Sequence, residues 1–171
     1  MKKSIWIVLL MACLYSASSY AQEVRLNGGL LVLGYVDNPF TGFGVGVEAS
    51  LGNHFTFNMD VNWGAQNGGN SLSFRPALHY YTGKQQKGFF IGPALKYINV
   101  KEPDESVGTY ADNLYALAFN LGVKSLLSDR WTLSFLASPH VTVGGGGESN
   151  VAGIGAQLSL GYRFGKSSGD Q

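Results

Sequence analysis

"FTFNMDVNWG", residues 55–64, decides the fold. Phe55, Phe57, Met59, Val61 and Trp63 take every second position, and Thr56, Asn58, Asp60 and Asn62 stand between them. Side chains on a strand point alternately to its two faces, so this stretch is a strand with one greasy side and one polar side. From residue 22 onward the chain shows no convincing helical periodicity.

The same alternation recurs in eight segments separated by turn residues: 24–36, 42–51, 55–64, 71–81, 88–100, 113–126, 131–143 and 151–164. The fourth sets Leu72, Phe74, Pro76, Leu78 and Tyr80 against Ser73, Arg75, Ala77, His79 and Tyr81. The sixth sets Tyr115, Leu117, Phe119, Leu121 and Val123 against Ala116, Ala118, Asn120, Gly122 and Lys124. The first is the least regular, because "GGLLVLGY" carries leucines on both faces. Arg25, Glu48, Asp60, Arg75, His79, Lys96, Lys124, His140 and Arg163 all fall opposite the bulky apolar residues of their strands.

The chain has 171 residues, 24 of them glycine, and only 13% are charged. That is about half the charge of an ordinary soluble domain. It opens with Lys2 and Lys3, an apolar run from Ile5 to Leu14, and small residues at Ser19 and Ala21. This is the pattern of a signal peptide over residues 1–21, too short to span a bilayer as a helix. Leu10-Met11-Ala12-Cys13 offers a competing reading, a lipidated Cys13, but leaves an apolar core of only about seven residues. With cleavage after Ala21 the sole cysteine is lost, and with it any disulfide or thiolate chemistry. Removing Lys2 and Lys3 takes the formal charge from +1 to −1, which leaves no basic excess for nucleic acid.

The polar face separates a membrane barrel from a soluble sandwich or lipocalin-like binder. It consists mainly of Gly, Ala, Ser, Thr and Asn, the small residues of a crowded interior. An eight-stranded barrel has just such a side-chain-filled lumen. Outward aromatics fall at both strand ends: Phe55, Tyr80, Phe89, Trp131, Tyr162 and Phe164 at one, Phe43, Trp63, Tyr97 and Tyr115 at the other. Two girdles of this kind mark the interfaces of a bilayer. The odd-numbered connections include the longest one, as external loops do. The expected fold is therefore all-β, an eight-stranded antiparallel up-and-down transmembrane β-barrel over residues 22–164.

The signal peptide, the eight strands and the closing "LSLGYRF" resemble the small outer-membrane barrels of the OmpA/OmpX type, in the outer membrane protein β-barrel domain group. The resemblance covers essentially the whole chain after residue 21. It implies a monomer in the Gram-negative outer membrane with both termini periplasmic. The implied partners are lipid, lipopolysaccharide and the barrel-assembly machinery, which reads a terminal strand signal, here Leu160, Tyr162 and Phe164. The chain departs from that pattern in its tail, Gly165–Gln171, which follows the terminal aromatic.

Seven charges form the expected lumen network: Arg25, Glu48, Asp60, Arg75, Lys96, Lys124 and Arg163. Hairpin geometry puts Asp60, Arg75 and Lys96 in one row. An enclosed charge is costly unless paired, so the row reads as a plug rather than a solute filter. His140 with Ser138, His79 and Glu48 are the candidates for a lipid A-modifying activity, but the two histidines sit too far apart to act together. They read as lumen filling, and Pro139 predicts a local irregularity in its strand. Neither a catalytic residue nor a cofactor or metal site is expected. The loop 101–112 carries Glu102, Asp104, Glu105 and Asp112, and with Gly144–Asn150 it is the candidate surface for an external partner.

Overall fold

The computed structural model describes residues 22–33, 39–66, 69–104, 108–145 and 152–164. The signal segment 1–21, Glu105, residues 146–151 and the tail 165–171 lie outside the described residues. Eight strands follow in order: β1 (Gln22–Leu33), β2 (Phe40–Ser50), β3 (Phe55–Gln66), β4 (Gly69–Tyr81), β5 (Gly88–Asp104), β6 (Gly108–Leu126), β7 (Trp131–Gly145) and β8 (Ala152–Phe164). Each pairs antiparallel with its sequence neighbour, and β8 closes on β1. The result is the closed up-and-down barrel expected from the alternation.

The pairing can be followed once around the wall. Glu23 pairs with Glu48, then Asn58, Ala77, Ala94, Ala118, His140 and Gly153, and the walk re-enters β1 at Leu33. It left at residue 23 and returns at residue 33, a stagger of ten residues. Such a stagger goes with strands tilted by about 35–45°. It also carries inward side chains from distant strands to related heights.

Two expectations about the connections are corrected. Within 101–112 the described residues, 101–104 and 108–112, are strand rather than irregular loop: β5 runs to Asp104, β6 begins at Gly108, and Asp104 pairs with Gly108. Lys101 is the last residue of β5 with a partner on β4, and Leu114 is the first residue of β6 with a partner on β7. Beyond these the hairpin projects as a two-stranded ribbon whose backbone groups satisfy one another. Gly144 and Gly145, expected in a flexible loop, belong to β7. The irregularity expected at Pro139 is found on one side of its strand: toward β6 the pairing is interrupted between Ala118–His140 and Leu121–Ala137, as a residue without an N–H dictates. Toward β8, Pro139 pairs in register with Ile154, and the register shift between β6 and β7 falls at Tyr115/Ala116, nearer the rim, where barrels commonly take up an extra residue.

The barrel is greasy outside and polar inside. Leu26, Phe43, Trp63, Leu95, Tyr115, Leu117, Phe119 and Leu158 are exposed, while Arg25, Glu48, Asp60, Arg75 and Lys124 are buried. Outward aromatics meet in pairs at both ends. Phe43–Trp63 and Tyr97–Tyr115 have ring centroids 5.5 and 5.4 Å apart, and Phe55–Tyr80 and Trp131–Tyr162 are each at 5.1 Å. Next to the last pair, the Arg130 guanidinium donates to the Tyr162 hydroxyl at 2.9 Å, which raises the arginine's pKa.

Candidate functional site

The lumen holds one connected ladder of ion pairs. Arg163 Nε lies 3.3 Å from Glu23 Oε2, and Lys124 Nζ lies 2.7 Å from that same oxygen. Lys124 Nζ is also 3.0 Å from Glu48 Oε2, which Arg25 Nη1 meets at 2.8 Å. Arg25 Nη2 reaches Asp60 Oδ1 at 3.2 Å, and Arg75 Nη2 reaches Asp60 Oδ2 at 2.9 Å. Cations and carboxylates alternate throughout. That alternation is what makes burial of seven charges tolerable, since each desolvated ion costs several kcal/mol unless its neighbours compensate it.

Several contacts cross the lumen rather than follow its wall. Lys124 of β6 bridges to β1 and β2. Arg75 of β4 donates to Gln157 Oε1 of β8 at 2.7 Å, and Asn27 of β1 donates to Asp60 of β3 at 3.1 Å. Lys124 also stands 5.5 Å from the centroid of the Tyr81 ring, within range of a cation–π contact. These contacts tie opposite sides of the wall together across the bore.

Close approach of these groups depends on inward glycines. A β-carbon on Gly46 would lie 2.0 Å from Asp60 Oδ1, and one on Gly161 would lie 2.2 Å from Glu23 Oε1. The abundance of glycine thus has a spatial reason: it makes room for the long ionic side chains of neighbouring strands.

Six of the seven charges named from the sequence are in the ladder. The seventh, Lys96, makes no ion pair among the described residues, and its Nζ lies 3.3 Å from His140 Nδ1. Glu23 joins the ladder although sequence reading began the first segment at residue 24. Extending the parity of Arg25 by two residues would have found it.

Both ends of the lumen are closed by groups that sequence reading missed. At the end bearing the β1–β2 and β5–β6 connections, Leu33, Phe40, Ile98, Val100 and Leu114 form a buried apolar cluster, with Leu31 packed against it. The leucines on both faces of β1 are explained here, since Leu31 and Leu33 share the inward parity of Arg25. Phe40, expected in a connection, is an inward residue of β2. At the opposite end, Tyr81, Phe90 and Leu136 pack together. The β4–β5 connection folds back beneath them through a 3₁₀ turn at Lys84–Gln86. Gln86 there is buried and donates to the Ser50 hydroxyl and to the Gly52 carbonyl at 3.2 Å. Arg163 Nη2 donates to the Gln85 carbonyl at 2.7 Å.

The histidines are held separately. His79 accepts from Asn120 Nδ2 at 2.8 Å and stacks on Phe90 at 4.7 Å. His140 Nδ1 lies 3.2 Å from the Ser138 main-chain oxygen, while the Ser138 hydroxyl has no hydrogen-bond partner. A histidine that activates a serine must reach the hydroxyl, so this pair lacks nucleophile–base geometry. No group of three or more metal-ligating side chains occurs among the described residues. Of the acidic cluster, Asp112 is buried and accepts the Asn113 amide at 2.7 Å, so it is not a solvated loop acid. Glu102 and Asp104 lie on the β5 ribbon, and Glu105 is outside the described residues. In the terminal strand, Leu160 and Phe164 are exposed and Tyr162 half-exposed on the outer face.

Comparison with known proteins gives the fold a context. The chain is similar to Neisserial surface protein A (NspA), with 12% identity, a TM-score of 0.62, and 86% of this chain and 98% of that one covered. It is similar to the N-terminal β-barrel domain of Pseudomonas aeruginosa OprF, with 13% identity, a TM-score of 0.55 and coverages of 83% and 97%. It is also similar to Ail, the attachment invasion locus protein of Yersinia pestis, crystallised with the heparin analogue sucrose octasulfate, with 12% identity, a TM-score of 0.59 and coverages of 85% and 99%. At such identities the likeness is one of fold. No curated protein matches the sequence. The sequence pattern of the family described as "Protein of unknown function (DUF3575)" matches residues 5–139, so the chain belongs to the DUF3575 family.

Proposed function

We propose that this protein is an integral outer-membrane barrel with a structural or surface-contact role and a closed lumen. The observation that carries the reading is the inverted polarity of the barrel: large apolar residues outside, an ionic ladder inside. Lipid is the solvent that suits such a surface. The strands, 11 to 19 residues long, meet or exceed the roughly 9–11 residues that a tilted transmembrane strand needs. The paired aromatics supply interfacial anchors. Two proteins of similar fold, Neisserial surface protein A and the attachment invasion locus protein, carry surface roles in their names, which supports a surface role here.

In this reading residues 1–21 export the chain and both termini lie in the periplasm. The barrel-assembly machinery inserts it, and the closed sheet, with no free edge, works as a monomer among lipid and lipopolysaccharide. The β5–β6 and β7–β8 hairpins face outward, where an external partner would meet them. The lumen-bridging contacts support a plug rather than a pore, and the placement of the histidines supports a non-catalytic role.

The test is made on detergent-extracted protein. Heat-modifiable migration on a gel and the absence of steady conductance in planar bilayers are expected. A detergent-free soluble protein would overturn the membrane reading, and steady open channels would overturn the plug. Loss of an acyl chain from lipid A on expression would overturn the non-catalytic role.

A further inference from the structure

Beneath the apolar cluster the lumen contains a cavity of about 50 Å³. Leu31 and Phe40 border it on the cluster side, and Arg75 and Gln157 on the ladder side. It exists because Gly42, Gly64 and Gly155 place no side chain at inward positions around it. One water needs about 10–15 Å³, so the space suits several waters or one small inorganic ion, not a sugar or a nucleotide.

The chemistry of the wall has one sign. Lys96, Arg75, Ser71, Ser73, Asn62 and Gln157 can all donate, and no carboxylate lines the cavity. Lys96 is 5% exposed and Arg75 3%. Arg75 shares its one carboxylate, Asp60, with Arg25, and its Nε has no hydrogen-bond partner among the described residues. The ladder already holds four cations to three carboxylates. Lys96 makes the balance five to three, and the two cations that line the cavity, Lys96 and Arg75, have between them only a share of Asp60. A buried cation without a counter-charge is strongly unfavourable, and an anion between Lys96 and Arg75 relieves it.

We infer that this cavity binds a small inorganic oxyanion of the size and charge of phosphate or sulfate. Guanidinium and hydroxyl donors match the several oxygens of such an ion better than they match a spherical halide.

The test uses full-length folded barrel in a phosphate-free, uncharged detergent, without lipopolysaccharide. Inorganic phosphate is titrated at constant ionic strength set with gluconate, which is too large for the cavity. Phosphate is expected to bind saturably with one ion per barrel, to be displaced by sulfate, and to raise the unfolding temperature. Lys96→Met, which removes an unpaired buried cation and so should not impair folding, is expected to weaken binding at least tenfold. Gly155→Ala keeps both cations but puts a β-carbon 3.3 Å from Lys96 Nζ, and is expected to weaken binding at least threefold while heat-modifiable migration persists. Three results would overturn the site: no saturable binding at millimolar phosphate, equal binding by Lys96→Met, or binding that requires added lipopolysaccharide, which would mark a lipid head group on the outer surface.

Discussion

Gly46 of β2 and Asp60 of β3 are directly paired, and a β-carbon on the glycine would stand 2.0 Å from the aspartate's Oδ1. The same oxygen accepts from Arg25 and Asn27. Gly46→Ala therefore forces the carboxylate off its partners. A loss of about 3 kcal/mol is expected, combining overpacking with a weakened buried pair. Gly28→Ala, where nothing lies within 4 Å of the added carbon, is expected to change stability by less than about 0.5 kcal/mol. Urea unfolding in lipid vesicles compares the two, and equal losses would contradict the packing argument.

Asp60 is the single carboxylate between Arg25 and Arg75. Asp60→Asn keeps the shape and removes the charge, leaving the buried Arg75 guanidinium without a carboxylate and Arg25 with Glu48 alone. The expected cost is about 3–5 kcal/mol. Adding Arg75→Met is expected to recover more than about 1 kcal/mol, since the two positions are coupled. Strict additivity in this double-mutant cycle would show that the ladder is not one network.

Phe119 lies in the middle of β6, on the outer face, and is 49% exposed. Phe119→Arg is expected to lower stability in bilayers by about 2–4 kcal/mol. Folded yield in vesicles, read by heat-modifiable migration, measures this. Unchanged yield would mean that the position does not face lipid.

Phe40 is the largest member of the apolar cluster at its end of the lumen. Phe40→Ala is expected to cost about 3–5 kcal/mol and yet leave the barrel closed to ions, because the ladder lies below. Planar-bilayer recording checks this. A steady current in the variant would show that the cluster alone seals the barrel.

The wall of the barrel was legible strand by strand. Phe55 to Trp63 and Tyr115 to Val123 show their outward faces by parity alone, and the β3–β4 hairpin correctly pairs Asp60 with Arg75. Less legible were inward residues that break the rule of a polar interior. Ile98 and Val100 share the parity of Lys96, yet a rule that sends apolar residues outward misplaces them. The ribbon at Glu102–Asp104 was also hidden, because its residues look like turn formers and only the facing strand holds them extended.

By itself, the sequence determined which strands exist and which side of each is greasy. Successive β-carbons must point to opposite faces, so that information is local and covalent. Only the tertiary structure decided which inward charges meet. The ten-residue stagger from Glu23 to Leu33 sets strand heights around the wall. It brings Lys124 to Glu23 and Glu48, and leaves Lys96 apart from every carboxylate among the described residues. No single strand or hairpin contains that stagger; it exists only once the sheet closes on itself.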